Sequence, residues 1–334
     1  MEIYLIGLAV ALVGGLLMSR LTRLLHLPAV TAYLVAGLLL GPFFLGRLNV
    51  PGLGFNTLEE VNVLSIVSQT ALGFIAFAMG NEFRLSQLRT IGSRAIIIGI
   101  LQAVITTIVV DVILLLLHLF FPHIISVPCA ITLGAIAAAT APAATLMVVR
   151  QYKADGPMTR LLMLVVALDD AVGLLLFSVS FGIATALSNG QVSVLAVVVE
   201  PIVEILLSVG LGGFMGLLLH WVERFFHSRS KRMSLSVAFV MLTVGLSMLE
   251  FQIGPVHCGF SLLLVCMMTG TIFCNVCPTS EELMERVDGW TSPLNILFFV
   301  ISGAELDLNV LSQPVTLIVG IIYIIARSAG KYCG

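Results

Sequence analysis

Two adjacent carboxylates, Asp169 and Asp170, stand inside an apolar run from residue 161 to 187. A lone aspartate at the centre of a bilayer costs ~2.5–3.5 kcal/mol at the least, and two side by side also repel. Arg160 marks one end of the run. At helical rise Asp170 lies about 15 Å beyond it, half of a ~30 Å hydrocarbon core. An acid held at that depth must be neutralised by a proton or by a cation. That is the chemistry of an ion or proton pathway rather than of a surface charge.

The preceding run, 127–149, is polar and interrupted at the same level. It contains Gly134-Ala-Ile-Ala-Ala-Ala-Thr140-Ala-Pro142-Ala-Ala-Thr145. Small residues let helices approach closely. Pro142 has no backbone donor, so it frees a carbonyl near Ala138. Such a break is tolerated in a membrane only against protein or a watery cavity. Thr140 is ten residues from Arg150, again about 15 Å deep.

A third charged position is Arg327, 13 residues past Pro314 and about 20 Å inside by helical rise. Arginine stays protonated, so it requires a carboxylate partner there. The acids available are Asp169, Asp170, Asp111, Glu200, Glu204 and Glu305. Depth favours the aspartate pair. Glu200, Glu204 and Asp111 read as interfacial, and His220 and His257 as structural. Cys274-x-x-Cys277 has no second pair and reads as two incidental helix-end thiols.

These residues must be held by membrane helices. The 334 residues are 59% hydrophobic and 10% charged, with a mean hydropathy of +1.12. Soluble domains carry about 25% charged residues. The net charge of −2 comes with no basic patch for nucleic acid. The start, Met1-Glu2-Ile3-Tyr4, lacks a basic region and a cleavage site, so it reads as a first spanning helix. Eleven apolar runs follow: 3–19, 28–46, 61–81, 95–120, 127–149, 161–187, 192–222, 234–252, 255–275, 292–306 and 315–334. They are too long for barrel strands, so they predict helices. The fold class expected is all-α, a polytopic membrane protein of about 11 transmembrane helices.

Orientation follows from basic residues. Connections after odd-numbered runs carry Arg20, Arg23, Arg84, Arg89, Arg94, Arg150, Lys153, Arg160, Arg224, Arg229, Lys231, Arg232 and Arg286; those after even-numbered runs carry Arg47. Positive charge stays cytoplasmic, which puts the N-terminus outside. There is also an internal echo. Gly80-Asn-Glu82-Phe-Arg-Leu85 closes the third run and Gly303-Ala-Glu305-Leu-Asp-Leu308 the tenth, 223 positions on. The two copies lie at opposite surfaces, the mark of an inverted repeat. The same offset carries Asp169 past Gly334, so the reading expects a C-terminally truncated chain whose last two helices are missing.

Asp169-Asp170, Thr140-Ala-Pro142 and Arg327-Ser-Ala-Gly330-Lys331 resemble the monovalent cation/proton antiporters, in their second, paired-aspartate branch. Leu27-Pro28-Ala-Val-Thr-Ala-Tyr-Leu-Val-Ala-Gly37 and Gly41-Pro42 resemble that branch's early signature. The resemblance implies that Asp170 binds cation and proton in turn, with Thr140 as a further oxygen ligand to a transient Na⁺. It implies that Asp169 pairs with a basic side chain, here Arg327. It also implies scaffold helices at 1–91 and 234–312, core helices at 92–187, a linker helix at 188–233, the start of a second core half at 313–334, and a homodimer. Ala141 departs from branches that carry an acid after the threonine.

The function expected is exchange of Na⁺, or Li⁺ or K⁺, for H⁺ across the cell membrane, with no cofactor and no enzymatic step. Because arginine cannot release its proton, the expected exchange is electroneutral. The alternatives are a potassium-efflux antiporter, a sodium–solute symporter, or a non-transporting membrane sensor or subunit. An intramembrane aspartyl protease needs its two aspartates on separate helices and is disfavoured.

Overall fold

The computed structural model describes the chain apart from residues 1, 25–26, 49, 51–53, 81–82, 190–199, 250, 254–255 and 310–312. A further set of side chains, those of Asp170, Glu200 and His257 among them, also lies outside the described residues. Each of the eleven apolar runs contains a helix among its described residues. In chain order the helices are α1 (Glu2–Leu24), α2 (Ala29–Leu40), α3 (Leu58–Val63), α4 (Ser65–Gly80), α5 (Leu85–Phe120), α6 (Val127–Ala138), α7 (Pro142–Gln151), α8 (Pro157–Asn189), α9 (Glu200–Glu223), α10 (Arg229–Ser247), α11 (Leu262–Val276), α12 (Ser280–Ala304) and α13 (Pro314–Cys333). Among the described residues, β1 (Phe251–Ile253) pairs antiparallel with β2 (Val256–Cys258) between α10 and α11.

Two differences from the sequence reading, and one expected break, have local causes. The third run begins in a separate short helix, α3, which starts at Leu58 and is capped by the Thr57 hydroxyl accepting from Glu60 N. The fifth run is two helices, α6 and α7, because Pro142 cannot continue the ladder. The tenth helix starts at Ser280, twelve residues before the apolar run at 292. That first part carries Glu281, Glu282, Glu285, Arg286 and Asp288, charges that end the hydropathy signal before the helix itself ends.

Large apolar side chains face outward in quantity. On α13, Ile318, Ile321, Ile324 and Ile325 are exposed; on α5, Ile97, Ile100, Leu101, Ile108 and Val112 are. Water does not tolerate so extensive an apolar surface, but lipid does. Five described segments, Tyr4–Thr22, Ala29–Leu48, Ala95–Phe120, Ile202–Glu223 and Pro314–Cys333, are each long and apolar enough to cross a bilayer alone.

Packing divides the helices into two groups. α5 lies against α6, α8 and α13; α12 lies against α1, α2 and α4, and α11 against α4 and α9. Within the second group two helix crossings repeat. A Cβ on Gly80 of α4 would strike Met267 O of α11, and one on Gly303 of α12 would strike Leu34 O of α2. Reciprocally, Gly270 of α11 meets Phe77 O of α4, and Gly37 of α2 meets Val300 O of α12. Gly80 to Gly303 and Phe77 to Val300 each span 223 positions; Gly37 to Gly270 and Leu34 to Met267 each span 233. One operation therefore carries the α4–α11 crossing onto the α12–α2 crossing, backbone contact for backbone contact.

Candidate functional site

Four segments converge on Asp169. Helix α6 ends at Ala138, and Ala139 and Ala141 are extended, with ψ of 140° and 103°. The Pro142 ring forces the residue before it out of the helical region and leaves the carbonyl four residues back without its donor. Around this break the carbonyls of Ala137, Ala138 and Ala139 all accept from α13. Arg327 Nε donates to Ala137 O at 3.1 Å and Nη2 to Ala139 O at 2.7 Å. Lys331 Nζ donates to Ala138 O at 2.5 Å.

Asp169 on α8 is 1% exposed. Its Oδ2 accepts from the Thr140 hydroxyl at 2.5 Å and from Lys331 Nζ at 3.2 Å. Its Oδ1 accepts from Gln102 Nε2 on α5. Lys331 Nζ also donates to Thr140 Oγ1 at 2.9 Å. The ammonium thus sits among three oxygens from the helix break and the aspartate. Gly330, next to it, lets α13 reach the backbone of α5 at Thr106, where a Cβ would come within 2.8 Å of Thr106 Cα.

The structure brings Asp169, Thr140 and the Pro142 break together, as the sequence anticipates for one membrane level. It reassigns the cation. Arg327 neutralises carbonyl dipoles at the break; Lys331, one turn further along α13, makes the ion pair with Asp169. The backbone of Asp170 lies in α8, but its side chain is outside the described residues. Two contributors went unread. Gln102 is a buried amide in an otherwise apolar run, and Lys331 stands four residues after Arg327 on the same helix face. The other acids lie elsewhere. Glu305 is exposed, and Asp111 Oδ1 is buried against Gly134 with no hydrogen-bond partner among the described residues.

Residues 8–333 match the family described as "Sodium/hydrogen exchanger, transmembrane". The chain belongs to this sodium/hydrogen exchanger family. Among curated relatives it is 24% identical to the Na(+)/H(+) antiporter NhaS4 of Synechocystis sp., over 99% of this chain and 79% of that protein. It is 31% identical over 94 residues to K(+) efflux antiporter 5 of Arabidopsis thaliana, a match that spans 28% of this chain and 14% of the relative. Among solved structures, two of the sodium proton antiporter MjNhaP1 from Methanocaldococcus jannaschii share the fold. One superposes with a TM-score of 0.73 at 19% identity, covering 96% of this chain and 73% of that one. The other, at pH 8, gives 0.64 at 21%, covering 97% and 76%. In this exchanger family member the fold is that of a polytopic antiporter, and the broken helix, α8 and α13 meet inside it.

Proposed function

We propose that this chain exchanges a monovalent cation, Na⁺ first, for protons, and that the cation and the Lys331 ammonium compete for one set of oxygens. The observation that carries this is the cage around Lys331 Nζ: Ala138 O, Thr140 Oγ1 and Asp169 Oδ2. Oxygen donors suit a hard cation. A bare Na⁺ entering the cage must displace a protonated amine or wait for its proton to leave. In either occupied state the buried carboxylate is masked, whereas an empty charged Asp169 faces the desolvation cost that forbids a leak. Asp170, adjacent in sequence, is the second acid proposed to trade a proton for the ion.

Electroneutral exchange rested on an arginine as the partner of Asp169. The partner is a lysine, which can surrender its proton. The proposed exchange is therefore electrogenic, with one proton from Lys331 and one from the Asp170 carboxylic acid leaving for each cation bound. The α5, α6, α8 and α13 group is proposed to move as the core against a scaffold of α1, α2, α4, α11 and α12, with α9 between them and the scaffold forming a homodimer. The basic connections support an N-terminus outside the cell membrane.

The test is proton flux in reconstituted vesicles under a clamped membrane potential. Na⁺ jumps should drive proton movement in the wild type, faster with an interior potential that favours net proton charge, and not in Asp169→Asn. Retained flux in Asp169→Asn overturns the site; flux insensitive to potential overturns the proton count. Parallel K⁺ jumps examine the potassium reading, which the Arabidopsis relative supports over 28% of the chain.

A further inference from the structure

The ends of α9 and α11 hold a side-chain cluster that exchange does not use. His220 and Glu223 lie three apart in the last turn of α9, and Cys277 caps α11. One donor atom from each lies within 4.8 Å of the others. The residues are 8%, 3% and 3% exposed. We propose that His220, Glu223 and Cys277 form a binding site for a divalent transition metal of borderline softness, Zn²⁺ best of all, bridging α9 to α11.

The spacing fits. Cys277 Sγ lies 3.6 Å from Glu223 Oε2. Sulfur at ~2.3 Å and oxygen at ~2.0 Å on one tetrahedral zinc stand about 3.5 Å apart. The other oxygen of Glu223 is already oriented: Oε1 pairs with Arg232 Nε at 3.0 Å and accepts from the Thr279 hydroxyl at 3.1 Å. That is the outer support a ligating carboxylate normally has.

His220 supplies the second observation. Arg224 Nη2 lies 2.8 Å from its Nε2. A guanidinium can only donate, so Nε2 carries the lone pair and Nδ1 the hydrogen. That Nδ1 is buried with no hydrogen-bond partner among the described residues, an arrangement that costs about 1–3 kcal/mol. A metal that binds at Nδ1, with the ring in its other tautomer, gives that buried nitrogen a partner and displaces Arg224, which is exposed, because Nε2 then carries the hydrogen. An imidazole, a thiolate and a carboxylate suit zinc and not a hard alkali cation. Three protein ligands leave the fourth position to water. The Cys-x-x-Cys spacing is not itself the site: Cys274 Sγ donates to Thr271 O at 3.2 Å and to Gly80 O at 3.6 Å.

The experiment uses the purified chain in detergent, stripped with a chelator and titrated with Co²⁺ and then Zn²⁺. One equivalent of Co²⁺ should give the visible bands of a tetrahedral centre and a near-ultraviolet thiolate band, both discharged by Zn²⁺. Cys277→Ser and His220→Gln should each weaken Co²⁺ binding about 100-fold or more. Cys274→Ser, Cys129→Ser and Cys333→Ser should retain it. Size-exclusion profiles without metal report folding, and if Cys277→Ser does not fold, His220→Gln decides. Absence of a tetrahedral spectrum at one equivalent, or a spectrum that survives His220→Gln or disappears with Cys274→Ser, overturns the proposal.

Discussion

Asp169 is buried and Lys331 half-buried against it, and that makes their single and double substitutions diagnostic. Lys331→Met leaves a charged carboxylate that is 1% exposed with only the Gln102 amide and the Thr140 hydroxyl. Removing one partner of a buried pair typically costs about 3–5 kcal/mol, while replacing both is often neutral. Thermal unfolding in one detergent should therefore find Lys331→Met strongly destabilised and Asp169→Asn/Lys331→Met close to wild type, with cation-driven proton flux lost in both. A double variant as unstable as the single would mean that the pair is not the dominant interaction. The acid, the threonine and the proline were legible from sequence because each is expensive in an apolar run, and so each announces a reason for being there. Gln102 was not, since one amide in a long span carries no spacing signal. Depth could not separate Arg327 from Lys331 either: they differ by one turn, about 6 Å of rise, which is within the uncertainty of a helix end.

At the scale of elements, the sequence located the helices by hydropathy and misplaced those ends where hydropathy stops before the helix does. Helix α12 is the clearest case, because its first turns are charged. Those turns form a tie to the broken helix: Arg150 at the end of α7 pairs with Asp288 of α12 at 2.7 Å. Burial pushes the Asp288 carboxyl above its usual range, and the Arg150 guanidinium pulls it back down. An acid whose pKa is raised by folding holds its proton more tightly in the folded state. Its contribution to stability is therefore largest at low pH and declines as pH rises from the ordinary carboxylate range through the raised value. Arg150→Ala removes the opposing influence and raises that value further. The pair is about a third exposed on each side, so screening limits the cost to about 1 kcal/mol at neutral pH. Melting temperatures across a pH series should find the Arg150→Ala deficit shrinking on acidification and abolished in Asp288→Asn. A deficit that grows on acidification would reverse the sign argued for Asp288.

The whole molecule is organised by one repeated crossing, and its symmetry has a consequence for stability. The six-residue echo around Gly80 and Gly303 was visible in the sequence, but its meaning needed the partners. Gly37 and Gly270 sit at an offset ten residues larger than that of the first pair, so no single shift aligns both. In the fold each glycine faces a backbone carbonyl of the opposite helix, where a flexible side chain cannot give way. An added methyl must instead push two spanning helices apart, and overpacking of that kind costs about 1–3 kcal/mol. If the two crossings are copies, Gly80→Ala and Gly303→Ala should lower the melting temperature by similar amounts, although one faces α11 and the other α2. Gly210→Ala and Gly213→Ala on α9 are the control, because a Cβ there meets nothing within 4 Å. Alanine is the better helix former by about 1 kcal/mol, so those two should be neutral or stabilising. A chain that tolerates alanine at Gly80 and not at Gly303, measured in the same detergent, would mean that the crossings resemble each other in sequence spacing alone.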